Sequence, residues 1–379
     1  MRLSEQHEML RDAVRRFARE RLWPNAARWE RERHFPRAEL VEMAQMGLNA
    51  VAVPERWGGA GMDCTATALA FEEVSAGDPA CGTVMSVNNL VSGILNGYGN
   101  DGQKEKYLRP LAEGRTIGAF CLTEPHVGSD AGAIATRAER RGGNWVLNGT
   151  KQFITSGKNA DVAVVFAVSD KNAGKKGISA FVVPTTSKGW RVARVEDKAG
   201  QHASDTAQIA LEDCTVPAGN LLAQEGLGYR IALANLESGR INIAAQATGI
   251  ARAALEAALA YAKERKSMGK TLIEHQAVNF RLADMATQVE AARQLYLHAA
   301  ALRDAGEPCL KEASMAKLFA SEMAEKVCSD AIQVHGGYGY VADFPVERLW
   351  RAVRVCKIYE GASDIQRLVI GRALASGSG

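Results

Sequence analysis

No stretch of this 379-residue sequence is apolar for long enough to cross a bilayer as a helix, which takes about 20 residues. Nor is there an excess of one charge. Lys and Arg outnumber Asp and Glu by 46 to 43, too even a balance to argue for nucleic acid or an anionic membrane surface. An anionic small substrate stays open, because a local pocket needs no basic surface. Cysteines are few and unpatterned: seven, at 64, 81, 121, 214, 309, 328 and 356. The odd count and the absence of metal-ligand or C-x-x-C spacing exclude a disulfide framework and leave no metal site, and they point to a reducing compartment. The first 22 residues mix charge with apolar residues at helical spacing. They lack the unbroken apolar core of a signal peptide, and their acids argue against a transit peptide. A cytoplasmic protein is expected, or a mature protein of the mitochondrial matrix. Internal repeats are also missing, as is a strand-glycine-helix dinucleotide unit: the run Gly336-Gly337-Tyr338-Gly339-Tyr340 follows a helix instead.

What is present is an ordinary globular composition, 47% hydrophobic and 23% charged, in a chain too long for one core. Three textures succeed one another. Residues 1–115 read as helix after helix, with Leu10, Val14, Phe17 and Ala18, then Leu40, Met43 and Ala44, at helical spacing. Asp78-Pro79 marks the start of a further helix through Met85 and Leu90. Residues 116–225 carry short β-rich runs at Trp145–Leu147, Val162–Val168, Ile178–Val183 and Gln208–Leu211. Asn148-Gly149 between apolar runs signals a hairpin turn, so a compact antiparallel β domain is expected. Residues 226–379 return to the helical period over Ala244–Ala262, Phe280–Leu302 and Ala313–Val334, which predicts a four-helix bundle. The fold class is α+β.

Chemistry gathers at five places. Leu122-Thr123-Glu124-Pro125 through Ser129-Asp130 enters the β domain by a Pro/Gly turn whose amides and hydroxyls suit a polar ring edge or a phosphate, or else satisfy their own backbone. Phe153-Ile154-Thr155 can cover a flat heterocycle, or belong to the core. Basic residues from Glu264 to Lys270, with Gln276 beyond, suit phosphates at a glycine-broken helix end, or form a solvated basic face. Gln333-Val334-His335-Gly336-Gly337 lets backbone approach a ligand closely. Last, Tyr359-Glu360-Gly361-Ala362-Ser363-Asp364 holds a lone acid between an apolar strip and a turn. Desolvation there raises a carboxyl toward a working base, whereas the plain alternative is a surface acid between two helices. Ser363 and Gln366 read as a capping box.

Together these residues resemble the acyl-CoA dehydrogenase family over essentially the whole chain. The matching signatures are Leu-Thr-Glu-Pro-x-x-Gly-Ser-Asp at 122–130, Asn-Gly-x-Lys-x-x-Ile-Thr at 148–155, Gln-x-x-Gly-Gly at 333–337 and Tyr-Glu-Gly-x-Ser-x-Ile-Gln at 359–366. The details Lys176–Phe181 and Gly239–Ala245 are most similar to the short-chain and short-branched-chain members. The resemblance implies a helical N-terminal domain, a barrel-like middle β domain and a C-terminal helical bundle, assembled as a homotetramer that passes electrons to electron transfer flavoprotein. It also implies FAD. Phe120, Leu122, Thr123, Gly128 and Ser129 would line the flavin, and Phe153, Ile154 and Thr155 would cover it. Arg265, Gln276, Gln333, Val334, His335, Gly336 and Gly337 would hold the ADP half across a subunit interface, and Ala362, Ser363 and Asp364 would flank the ring. Ser129, Glu237, Ser238, Gly239, Arg240, Tyr359 and Gly361 would contact the acyl-CoA.

By the same resemblance Glu360 is the base that takes the α-proton while hydride leaves the β-carbon for the flavin. Members that carry the base on the earlier helix place it where this chain has Gly239, which has no side chain for the task, and Glu237 should project from another helix face. Phe153 stands where many members have tryptophan, Met268 where phenylalanine is common, and Ala362 where many have threonine. The acyl end of the cavity is expected from the helix around Val84–Ile94, where Asn88 and Asn89 belong either to the helix surface, the preferred reading, or to the cavity floor. Two rival functions are an oxidase or monooxygenase on the same fold, and a non-catalytic assembly module.

Overall fold

A computed structural model describes residues 3–376, the side chains of 236 and 237 excepted. The chain begins with α1 (Glu5–Phe17), α2 (Trp23–Glu32), α3 (Arg37–Gln45), α4 (Cys64–Gly77), α5 (Pro79–Tyr98), α6 (Asp101–Gln103) and α7 (Arg109–Ala112). Asp78 caps α5 by accepting from the Cys81 N–H, and Pro79 occupies the first turn, where a missing N–H costs nothing. Pro24 and Pro110 also open their helices. Each follows a π turn (Ala18–Leu22 and Lys104–Leu108) that carries the helical path up to a residue unable to donate.

Seven strands follow: β1 (Gly118–Cys121), β2 (Arg137–Arg141), β3 (Asn144–Thr155), β4 (Val162–Val168), β5 (Ile178–Pro184), β6 (Trp190–Val195) and β7 (Thr206–Pro217). They form one sheet in the order β1-β4-β2-β3-β7-β6, with β5 also on β4. The sheet is mixed rather than purely antiparallel, because β1 and β2 both run parallel to β4. Every β4 residue but the last is buried: Val162, Val164 and Phe166 face the helices, while Ala163, Val165 and Ala167 face the sheet's own core. That two-sided burial explains the unbroken apolar run. The Asn-Gly signal falls elsewhere than expected. Asn148-Gly149 lies inside β3, where the pairing with β7 shifts and Gly149 (φ 155°) passes so close to Thr136 that a Cβ would stand 2.5 Å from its Oγ1. It marks a bulge, and the hairpin turn is Gly142-Gly143 between β2 and β3.

The last third holds α8 (Gly228–Glu264), a small hairpin of β8 (Lys266–Ser267) and β9 (Lys270–Thr271), α9 (Gln276–Asp304), α10 (Leu310–His335), α11 (Pro345–Val353) and α12 (Ser363–Ala375). From Gly239 to Ala254 every residue of α8 is buried. A helix covered on all sides is a core helix, and it is covered by α4, α5, α9 and α10. One apolar cluster therefore runs unbroken from the N-terminal to the C-terminal helices. A buried charge network locks the same contact: Glu72 on α4 takes Arg252, Arg293 and the Tyr296 hydroxyl, and Glu73 takes Arg15 and Arg252. Among the described residues no helix is long and apolar enough to cross a membrane.

Candidate active site

A 3-10 turn (Arg354–Lys357) ends the run after α11, and the chain then reverses before α12. Glu360 makes the reversal with φ 54° and Gly361 continues it with φ 89°. A left-handed backbone costs a non-glycine residue about 1–2 kcal/mol, so the surroundings must impose it. They do so through carbonyls. Gln366 Nε2 donates to the Glu360 carbonyl (3.2 Å) and the Gly361 carbonyl (2.8 Å), and Lys317 Nζ, itself fully buried on α10, donates to the Gly361 carbonyl at 2.7 Å. Ser363 and Gln366 therefore do not form the expected capping box. Ala362 is the N-cap, no side chain caps the helix, and the Gln366 amide is committed to the reversal instead.

The reversal aims the Glu360 carboxylate at α8. A Cβ built on Gly239 would lie 2.5 Å from Oε2, so the glycine is the space the acid occupies. Oε2 is buried and has no hydrogen-bond partner among the described residues. Burial raises the pKa of Glu360 from 4.5 to about 7, against the pull of the Lys317 and Arg240 cations. Burial likewise lowers Lys317 to about 8, with Cys356 and Glu360 partly offsetting it. Arg240 Nη1 also donates to Ser314 Oγ (3.2 Å). The Tyr359 hydroxyl points away from this group, donating to Gln246 Oε1 at 2.7 Å, and Gln246 donates in turn to Thr83 Oγ1 at 2.9 Å.

Glu360 faces a cavity of about 440 Å³ between α5 and α8. Gln246 meets Thr83, and Asn235 lies beside Gly93, so the two helices run antiparallel. Ser86, Asn89 and Leu90 line one wall, and Ser238, Gly239 and Asn242 the other. Asn88 and Asn89 are thus not helix surface. Asn88 is fully buried and accepts the Gly118 N–H (2.9 Å), tying α5 to the start of β1. Asn89 bonds Leu48, Val51 and Met85 backbone while lining the cavity.

On the sheet side, the two segments singled out at 122–130 and 148–155 meet. The Gln152 N–H donates to the Thr123 carbonyl (2.9 Å), and the fully buried Lys151 Nζ donates to the Leu122 carbonyl (3.1 Å) and to Glu124 Oε1 (2.7 Å). Glu124 accepts further from the Ala135 and Thr136 amides. The β3–β7 pairing skips between Lys151 and Ile154, and within that bulge Phe153 sits at φ 58° with 64% of its surface exposed. An exposed ring on a left-handed backbone is not core, so the core reading of Phe153 does not hold. Ile154 is buried beneath it, Thr155 and Phe120 are half-buried, and Gly128 and Ser129 are exposed. Leu122 packs in the apolar cluster that joins α5, the start of α8 and β4.

A second group lies at the other end of α8. Arg265 stands about 39 Å from Gly239 at about 1.5 Å per residue of helix. Its guanidinium lies 5.5 Å from the Tyr338 ring, next to Gly336 and Gly337, whose missing Cβ atoms would meet nothing within 4 Å. Gln276 and Gln333 are exposed. Val334 and His335 face inward: Val334 joins the core, and the His335 ring stacks on Tyr261 at 4.4 Å with Nδ1 on the Ala331 carbonyl. The Glu237 side chain lies outside the described residues.

Lys317, Asn242 and the Lys151–Glu124 pair were given no role from sequence, and Gln366 was read only as part of a capping box. Lys317 had a signal: with Ala313, Ala316, Ala320 and Ala324 it falls on the buried stripe of α10, where a lysine needs a reason.

Comparison with known proteins agrees in all three parts of the chain. The acyl-CoA dehydrogenase N-terminal domain matches residues 4–115, the middle domain 119–214 and the C-terminal domain 226–375. The mitochondrial short-chain specific acyl-CoA dehydrogenase of Rattus norvegicus is 47% identical over 97% of this chain and 90% of its own. Butyryl-CoA dehydrogenase from Megasphaera elsdenii superposes with a TM-score of 0.96 at 38% identity, over 99% of both chains. A chain from a structure described as the electron transferring flavoprotein of Acidaminococcus fermentans gives 0.96 at 44% identity, again over 99% of both.

Proposed function

The chain belongs to the acyl-CoA dehydrogenase family, and from that premise we propose that it desaturates a short or short-branched acyl-CoA to the trans-2-enoyl-CoA, with Glu360 as the α-proton base. The observation that carries this is the Glu360 carboxylate, strained toward the cavity, without a donor on Oε2, and poised near neutrality with a pKa of about 7. A base is most useful when its pKa lies near the working pH, and such a group contributes about 10²–10⁴ in rate. Among the described residues the Glu360 N–H has no backbone acceptor. It can therefore donate to the thioester carbonyl, which an α-proton of such low acidity requires. Bound acyl chain completes the exclusion of water from the carboxylate.

The cofactor is FAD, which when bound accepts the hydride from the β-carbon. The exposed Phe153 ring and the open backbone at Gly128, Gly336 and Gly337 fit such a group. Phe120, Leu122, Thr123, Ser129, Ile154 and Thr155 would hold its ring system from the sheet, with Ala362, Ser363 and Asp364 opposite. Arg265, Gln276 and Gln333, with the backbone of Val334 to Gly337, would hold the ADP half. The two groups are too far apart for one dinucleotide to bridge within one chain. A second copy would supply the distal group, in keeping with the homotetramer, a dimer of dimers, that the resemblance implies. Ser129, Glu237, Ser238, Gly239, Arg240, Tyr359 and Gly361 would border the acyl-CoA, with the three segments 1–115, 116–225 and 226–379 as its domains. Electron transfer flavoprotein is the acceptor and the cytoplasm the setting.

Anaerobic titration of the purified yellow protein with butyryl-CoA and isobutyryl-CoA tests this. Bleaching of the flavin, followed by slow reoxidation in air and fast reoxidation by electron transfer flavoprotein, is expected. Rapid oxygen consumption would instead make it an oxidase, and no bleaching with any acyl-CoA would make it a non-catalytic relative.

A further inference from the structure

Asn242 sits on α8 one turn beyond Gly239 and lines the same cavity as Glu360, yet its residue surface is 92% covered. Its Oδ1 is buried with no hydrogen-bond partner among the described residues. Whichever way the carboxamide is turned, one polar atom faces the lining without a protein partner. The neighbours show why this matters. Past Asn242 and Ser86, α5 and α8 are joined by the bonded Thr83–Gln246–Tyr359 group, whose polar atoms are already paired. In the other direction α5 and α8 are only half-buried, at Gly93, Asn96 and Asn235. Asn242 therefore stands on the buried side of the base, next to that paired group, where the end of an acyl chain would arrive.

The spacing sets which atom arrives there. Asn242 lies about 4.5 Å further along α8 than Gly239 at about 1.5 Å per residue. An α-carbon held at the carboxylate places the substituent on its γ-carbon three bonds away, a span of about 4 Å. A hydrocarbon atom there leaves the carboxamide unpaired, whereas a hydroxyl both donates and accepts and so pairs with either face of the amide. We propose that Asn242 determines acyl specificity, selecting acyl-CoA thioesters whose short chain ends in a hydroxyl over hydrocarbon chains of equal length. This rests on the acyl-CoA dehydrogenase reading above and names the substrate class within it.

The matched probes are 4-hydroxybutyryl-CoA and pentanoyl-CoA, which differ by a terminal hydroxyl against a methyl group. The holoenzyme should turn over the hydroxylated thioester with kcat/KM at least about tenfold higher. Asn242→Leu, close to asparagine in shape, should invert that ratio, and Asn242→Ser, which keeps a hydrogen-bonding atom, should retain it. Flavin absorbance of each variant reports that the site is folded. If the holoenzyme favours pentanoyl-CoA, or if Asn242→Leu leaves the ratio within twofold, the inference is wrong while the dehydrogenase reading stands. If neither thioester, nor butyryl-CoA, bleaches the flavin, both fall together.

Discussion

Two buried carboxylates lie in this molecule in opposite circumstances. Glu124, in the turn that leads from β1 toward β2, receives the Lys151 ammonium and two backbone amides. Burial opposes its ionisation, but those donors outweigh burial and hold its pKa below the usual carboxylate value. Glu360 has two cations near by, yet Lys317 spends its hydrogen bond on the Gly361 carbonyl, and Oε2 receives no donor from the described residues. Burial prevails there and the pKa climbs to about 7. A carboxylate that holds structure is saturated with donors. One that must take up a proton is kept short of them, and the fold bears the cost.

The largest effect follows from exchanging each acid for its amide. Glu360→Gln should cut turnover at least about 10³-fold with flavin retained, measured by steady-state kinetics with butyryl-CoA. Its effect on stability should carry the opposite sign. Because the folded pKa of about 7 lies above the ordinary 4.5, the folded protein is penalised at pH above 7, and the penalty fades as pH falls toward 4.5. Removing the acid should therefore raise the melting temperature at pH 8, by about 1–3 kcal/mol of stability, and do little near pH 5. Glu124→Gln should do the reverse. Its lowered pKa contributes stability above about pH 4.5 that is lost as pH falls through the folded value. The amide should thus cost about 3–5 kcal/mol at neutral pH by stranding Lys151. Thermal melts of both variants across pH check the pair of signs, and two shifts of the same sign would undo the contrast.

How much of this was legible in the sequence differs between the two acids. The motifs around Glu124 and Lys151 stand in plain view, and the structure joins them by direct bonds. The strands were visible as apolar runs because both faces of β4 are buried, but the bulges were not, since Asn148-Gly149 looks the same in a hairpin as in a kinked strand. The Glu360 window left a surface acid and a desolvated acid both open, and burial decides for the second; its capping box was misread because Gln366 has a stronger use at the two carbonyls of the reversal. Nothing in one chain's spacing shows that the acid presses on Gly239, or that Asn89 and Asn242 line one cavity. Those are contacts between helices more than a hundred residues apart.

Gly239 gives the next effect. Its Cα faces the carboxylate so closely that an added Cβ must displace Oε2 from 2.5 Å. Gly239→Ala improves helix propensity by about 1 kcal/mol, so the fold should tolerate it while the base moves. A displacement of that order costs about 10²-fold in a proton transfer that depends on near-contact geometry. The expected signature is a kcat reduced about 30- to 100-fold with an unchanged or higher melting temperature. Turnover within twofold of the parent would mean that the carboxylate has other places to stand.

Lys317 supplies the smallest effect and the finest test of the withheld donor. Its cation lowers the Glu360 pKa without bonding to the carboxylate, so Lys317→Met should let burial carry that pKa still higher. The base works deprotonated. The rising limb of kcat/KM against pH should therefore move up by about one unit, costing up to about tenfold at pH 7 and recovering by pH 9. Loss of the anchor on the Gly361 carbonyl alone would lower the plateau and leave the limb in place. A limb that stays put while the plateau drops would assign Lys317 to holding the reversal rather than to tuning its acid, and the contrast with Lys151, which does both for Glu124, would then rest on hydrogen bonding alone.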